Sequence, residues 1–150
     1  ETDPAGRPSG RKVLRLMSDV LLNKKATIER CVAQVREWHG SQAISDDQMR
    51  QDAIAMNLQR ACESAIDMAN HLIRTQKLGL PQESRDAFDL LKQGGIINEE
   101  MNSVLKSMVG FRNILVHEYR ALDPVIMESI IRDRLDDLLA FANHAVKAAS

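Results

Sequence analysis

Between Ile54 and Leu72 the apolar residues Ile54, Leu58, Ala61, Ala65, Met68 and Leu72 step alternately by four and three positions. An α-helix, at 3.6 residues per turn, brings such a series onto one side of a rod. A seam of that length must be covered by another helix, so the chain has to fold as a helical bundle. The partners are legible on either side. Leu21, Ile28, Cys31, Val35 and Trp38 predict a first helix from about Ser18 or Asp19 to Trp38, ended by His39-Gly40-Ser41. Ser45-Asp46-Asp47-Gln48 has the form of a capping box, and the second helix it opens should run to about Lys77, with Gly79 and Pro81 stopping it. A short third helix over about Gln82 to Gln93 turns Phe88, Leu90 and Leu91 inward and closes on Gly94-Gly95. Asn98 can cap a fourth helix, with Glu99 and Glu100 suited to its positive end. That helix carries Met101, Val104, Leu105, Met108, Phe111 and Leu115. Asp123-Pro124, a cap residue followed by proline at the first helical position, opens a fifth helix that should run unbroken to about Lys147 on Ile131, Leu135, Leu138, Ala142 and Ala145. Strand alternation, a Gly-rich phosphate loop and a Gly-x-Ser-x-Gly turn are all absent from the sequence. The expected fold is all-α, an antiparallel bundle of about five helices forming a single domain over 17–150.

Residues 1–16 read differently. Glu-Thr-Asp-Pro-Ala-Gly-Arg-Pro-Ser-Gly is polar, rich in Pro and Gly, and aperiodic. It is expected to be a flexible lead left over from expression, with Met17 as the natural start; a basic functional arm is the alternative.

Composition limits the function. The net charge of −1 gives no global pull on nucleic acid or an acidic membrane, so any polyanion must be met by a local patch. Aromatic residues at 3% are too few for a base-stacking platform. No apolar run approaches the roughly 20 residues of a membrane span. Cys31 and Cys62 lie on apolar helical faces and read as buried reduced thiols of a cytoplasmic protein; no cluster of His and Cys has zinc spacing.

One segment breaks the pattern. Gly110 to Arg120 places Arg112, Asn113, His117 and Tyr119 in otherwise apolar surroundings. A guanidinium is a permanent cation whose planar fork fits phosphate oxygens, and an imidazole exchanges a proton near neutral pH. The helical phase restricts their use. Phe111 and Leu115 continue the apolar stripe from Met108, and Arg112 and Tyr119, seven apart, share one flank of it. His117, five after Arg112, falls about 140° further round a straight helix. One unbroken helix cannot aim both at the same phosphate. Either the helix ends or bends between them, or two copies of the chain build the site. On the second helix Glu63, Asp67, Asn70 and Arg74 form a polar row, which is either a solvated face or the source of a carboxylate, Glu63 or Asp67, that orients Arg112. Lys92, Lys106, Arg120 and Arg74 could supply a basic rim. His39 reads as a surface residue at a helix C-terminus and not a ligand, and His71 as structural. On residue chemistry alone Tyr119 is an amphipathic tyrosine at a helix edge, and Asn113 is as well explained as a surface amide.

Arg112-Asn113-x-x-x-His117-x-Tyr119 resembles the Arg-x4-His-x-Tyr motif of the HEPN superfamily, and of its HepT branch in particular. Asn23-Lys24-x-x-Thr27-Ile28-x-Arg30-Cys31 is similar to the first helix of HepT proteins, and Ala61-x-Glu63-x-Ala65-Ile66-Asp67-Met68-Ala69-Asn70-His71-Leu72 to their second. The likeness covers essentially Met17 to Lys147. It implies a homodimeric toxin of a type VII-like toxin–antitoxin module: a metal-independent endoribonuclease with no cofactor, acting on tRNA or other RNA. It further implies Arg112 and His117 as catalytic residues facing their counterparts across a dimer cleft, with Asn113 in support. The implied partner is a MntA-type minimal nucleotidyltransferase antitoxin, which would silence the nuclease by moving AMP from ATP onto Tyr119. Two other classes stay open: a non-catalytic helical module that binds nucleotide for a nucleotidyltransferase, and a structural dimer in which Arg112 and His117 are interface contacts.

Overall fold

The structure is a computed structural model that describes residues 4–6, 9–44 and 47–149, with the backbone alone over 12–18. Among the described residues six α-helices follow one another: α1 Gly10–His39, α2 Gln48–Gln76, α3 Ser84–Gln93, α4 Glu99–His117, α5 Pro124–Asp133 and α6 Leu135–Ala148. A 3-10 turn, Tyr119–Ala121, lies between α4 and α5. Among the described residues there is no strand.

α2 is the axis of the bundle. Its seam residues Ile54, Leu58, Ala61, Ala65, Met68 and Leu72 are all buried, and the helix packs against α1, α3, α4 and α6. Leu21, Ile28, Cys31, Val32 and Val35 of α1 close over one side. On the other, Phe88 of α3 meets Phe141 of α6 edge to face, with ring centroids 5.5 Å apart and both rings out of water. That geometry sets the positive edge of one ring against the negative face of the other. The core so formed fixes the faces that α2 and α4 turn to solvent.

The helix ends follow side-chain chemistry. Asn98 Oδ1 accepts from Met101 N at 2.8 Å and Asp123 Oδ1 from Val125 N at 2.9 Å, satisfying first-turn amides that have no partner inside the helix. Asp47 caps α2 by accepting from Arg50 N at 3.1 Å; Ser45 and Asp46 of the expected capping box lie outside the described residues. Arg50 also closes the far end of α1, its guanidinium donating to the carbonyls of Trp38, His39, Gln42 and Ala43. At the end of α3 the Ile96 amide donates to Leu91 O at 2.9 Å, which requires the left-handed turn that Gly95 makes at φ 78° without a side-chain clash.

Four expectations need correction. α1 begins at Gly10, ahead of the expected start at about Ser18 or Asp19; residues 1–3 and 7–8 lie outside the described residues. Trp38, assigned to the inner stripe, is 48% exposed, and Val32 fills the interior instead. α2 turns off at Lys77, a non-glycine residue at φ 54°, ahead of Gly79. The expected fifth helix is two helices, broken at Arg134 (φ −113°, ψ −13°) with no proline or glycine to signal it. The two halves serve different partners, which accounts for the break. α6 packs on α1, α2 and α4, whereas Glu128 of α5 holds the α1–α2 connection through His39 Nε2 (2.8 Å) and the Ile44 amide.

Candidate active site

α4 delivers the motif. Asn102, Leu105, Met108, Val109, Phe111 and Leu115 bury one side of it, which leaves Arg112 half-buried and Asn113, Val116 and His117 exposed. The helix does not break between Arg112 and His117. Its last turn is closed by Glu118 N donating to Ile114 O at 2.8 Å, and His117 is its final residue. Arg112 and His117 therefore sit on one continuous helix with no break between them. Five positions apart on that helix, they leave it about 140° apart.

The Arg112 guanidinium lies against α2. Its Nε is 3.4 Å from Glu63 Oε1, a charge contact too long for a good hydrogen bond, and Nη1 donates to Asn113 Oδ1 at 3.0 Å. Gln59 Nε2 donates to the same Glu63 oxygen at 3.1 Å and steadies it. Asp67, the other carboxylate considered for this role, does not face Arg112; it is paired with Lys24 of α1 at 3.0 Å. Beneath Glu63, burial pushes the Cys62 thiol up to about 12, which leaves it inert as a nucleophile.

Tyr119 does not continue α4, so the seven-residue relation to Arg112 fails. The chain leaves the helix at Glu118 (φ −140°, ψ 33°) and sets Tyr119 in the 3-10 turn. From there its hydroxyl donates to Asp52 Oδ1 of α2 at 2.5 Å, and Gln48 Nε2 donates to the same oxygen at 2.6 Å. Burial, then the carboxylate, hold the phenol well above its ordinary value of 10.0, while the phenol and the Gln48 amide hold Asp52 below its ordinary 3.8. Tyr119 lines an open recess of about 780 Å³ together with Gln48, Gln51, Asp52, Arg120, Leu122 and Pro124. Asp52 was not singled out from the sequence, and Gln48 only as the end of a capping box. They lie 67 and more positions from Tyr119, and only their shared turn on α2 could have linked the two of them.

Asp52, Met56, Gln59 and Glu63 step by four, three and four, so they share one face of α2. One rail thus meets both ends of the motif, Glu63 at Arg112 and Asp52 at Tyr119, about 16 Å apart along the helix. Of the cations expected to form a rim, Lys106 is occupied by Asp89 at 3.1 Å and Lys92 by Glu99, while Arg120 opens onto the Tyr119 recess. Among the described residues no group of three or more His, Cys, Asp or Glu side chains converges as a metal site, and no helix is long and apolar enough to cross a membrane.

An all-helical bundle that presents Arg-x4-His-x-Tyr from the end of one helix defines a HEPN-type protein. Residues 28–145 match the family Ribonuclease HepT-like, and the chain belongs to that family. It is 43% identical over 126 residues to the mRNA nuclease HepT of Shewanella oneidensis, covering 83% of this chain and 95% of that protein. A crystal structure of a toxin–antitoxin with AMP-PNP contains a chain 41% identical, with a TM-score of 0.82 over 87% of this chain and 98% of that one. The tri-AMPylated Shewanella oneidensis HEPN toxin in complex with MNT antitoxin is similar at 42% identity and a TM-score of 0.81, again over 87% and 98%. The cytosolic protein YutE of Bacillus subtilis, of unknown function, shares the fold at 19% identity with a TM-score of 0.74, over 85% of this chain and 87% of its own.

Proposed function

We propose that the chain is the RNA-cleaving toxin of a toxin–antitoxin pair, that its active site is assembled from two copies, and that AMP transfer to Tyr119 by a nucleotidyltransferase antitoxin silences it. The observation that carries this reading is the unbroken α4, which holds Arg112 and His117 on different sides of one rod. A second copy can present the missing group. The α2 face that bears Asp52 and Glu63 also leaves Met49 81% and Met56 55% exposed, apolar surface of the kind a partner subunit covers.

RNA carries its own nucleophile. His117 removes the 2′-hydroxyl proton, the 2′-oxygen attacks the adjacent phosphorus, and Arg112 neutralises the charge that builds on the non-bridging oxygens. The bond to the 5′-oxygen breaks and that oxygen takes up a proton, leaving a 2′,3′-cyclic phosphate and a 5′-hydroxyl. DNA lacks the nucleophile and survives. Asn113, bonded to Arg112, holds the guanidinium fork toward the phosphate. No step calls on a metal ion. The name of the Shewanella relative specifies mRNA, so an unstructured message, with tRNA beside it, is the substrate to try first.

The test is cleavage in the presence of a chelator by Arg112→Ala, by His117→Ala, and by the two mixed after unfolding and refolding. Each variant alone should lose about 10²- to 10⁴-fold in rate, the usual contribution of a positioned acid or base for His117 and of a charge-stabilising donor for Arg112. The mixture should recover about one quarter of wild-type activity, because half the dimers are mixed and each rebuilds one of two sites. No recovery from folded, dimeric mixtures would overturn the composite site.

A further inference from the structure

Asp52 has no part in cleavage, yet it makes the shortest polar contact of the motif region. We infer that Asp52 is the general base for AMP transfer to Tyr119, an assignment that rests on the reading of Tyr119 as the acceptor. Three observations carry it. The phenol is not free in solvent: its one proton is already directed at Asp52 Oδ1, 2.5 Å away. Gln48 fixes the same carboxylate oxygen from the next turn of α2, so the acceptor is in place before any substrate arrives. The recess beyond offers room and a cation. Arg120 lines it beside Tyr119 and offers a permanent cation to the phosphates of a nucleotide. Of the two charged residues lining the recess, Asp52 and Arg120, only Asp52 bonds the phenol.

The step balances within these groups. Tyr119 Oη attacks the α-phosphorus of ATP. The bond from that phosphorus to the oxygen bridging to the β-phosphate breaks, and pyrophosphate leaves with the electron pair. The phenolic proton passes to Asp52 Oδ1 and from there to water. Without such a base the phenol would have to attack as a neutral hydroxyl, a poor nucleophile. The product ester oxygen has no proton to donate, so the contact that held Tyr119 to α2 is lost once AMP is attached.

The test uses the full chain with its cognate MNT-type nucleotidyltransferase and ATP, reading AMP transfer by intact mass. Asp52→Asn keeps an oxygen that can accept from the phenol but cannot take its proton, so it separates the base from a mere anchor. Transfer at pH 7 should fall about 100-fold. With the carboxylate gone burial still holds the phenol above its ordinary value of 10.0, and transfer then depends on the small fraction that is ionised, so transfer to the variant should climb about tenfold per pH unit between pH 7 and 9 while the wild type stays nearly flat. Thermal unfolding of both proteins checks the fold. A variant within threefold of wild type at pH 7, or one whose loss does not recede with pH, overturns the role of Asp52. Absence of AMP on the wild-type chain, or its retention in Tyr119→Phe, instead overturns Tyr119 as acceptor.

Discussion

Glu63 and Asp52 look alike in sequence, two carboxylates on one face of α2, and differ in what they meet. Glu63 faces a permanent cation across 3.4 Å, with Arg112 28% and Glu63 37% exposed at the side chain. A pair so open to water is worth only about 0.2–1 kcal/mol to the fold. Its value lies in direction, because it keeps the guanidinium from swinging off the helix. Glu63→Gln should therefore leave the unfolding temperature almost unchanged and lower RNA cleavage about 10- to 100-fold, the penalty for a group displaced by about an ångström. Steady-state cleavage beside a thermal melt checks it, and equal rates would mean that Arg112 needs no such guide. At this scale the sequence carried the motif and Glu63 as one of two candidates. It could not rank Glu63 over Asp67, because the choice is made by Lys24, which reaches across from α1 to take Asp67. Nor could it show Asp52, whose partner is brought to it by the turn after α4.

Elements begin and end here for reasons of unequal visibility. Asn98 and Asp123-Pro124 announce helix starts because a cap acts on amides two or three residues away, and the sequence holds both partners. The break at Arg134 has no local cause, and only the packing of α6 against α1 and α2 reveals it. α5 depends in turn on a long-range tie. Burial opposes the charge on Glu128, but the Ile44 amide and His39 overcome this and hold the carboxyl below its ordinary 4.5. The folded value being the lower one, the tie contributes fully above the ordinary value and is lost as pH falls through the folded one. Acid should thus release α5 and the α1–α2 connection first. Amide exchange in Pro124–Asp133 should rise below about pH 4.5 in the wild type, and already at neutral pH in Glu128→Gln. Uniform exchange along the chain would sink the idea.

For the molecule as a whole, stability rests on the joint where α3, α6 and α2 meet. Phe141 is fully buried against Phe88, and its loss leaves a cavity under both helices. Phe141→Ala should destabilise the fold by about 3–5 kcal/mol in chemical denaturation, a large share of the 5–15 kcal/mol typical of a domain. A loss under 1 kcal/mol would mean that the joint collapses to fill the gap. The bundle itself was legible because burial imposes its period on every helix. The pairing of faces was not, since period alone does not say which helix lies opposite which. Because the unbroken α4 sets Arg112 and His117 on different sides of one rod, a lone newly made copy is harmless on the proposed reading. Potency then grows with the square of the number of copies at low abundance. A cell would tolerate leaky expression and succumb only past a dose, and the shape of one helix would set that threshold.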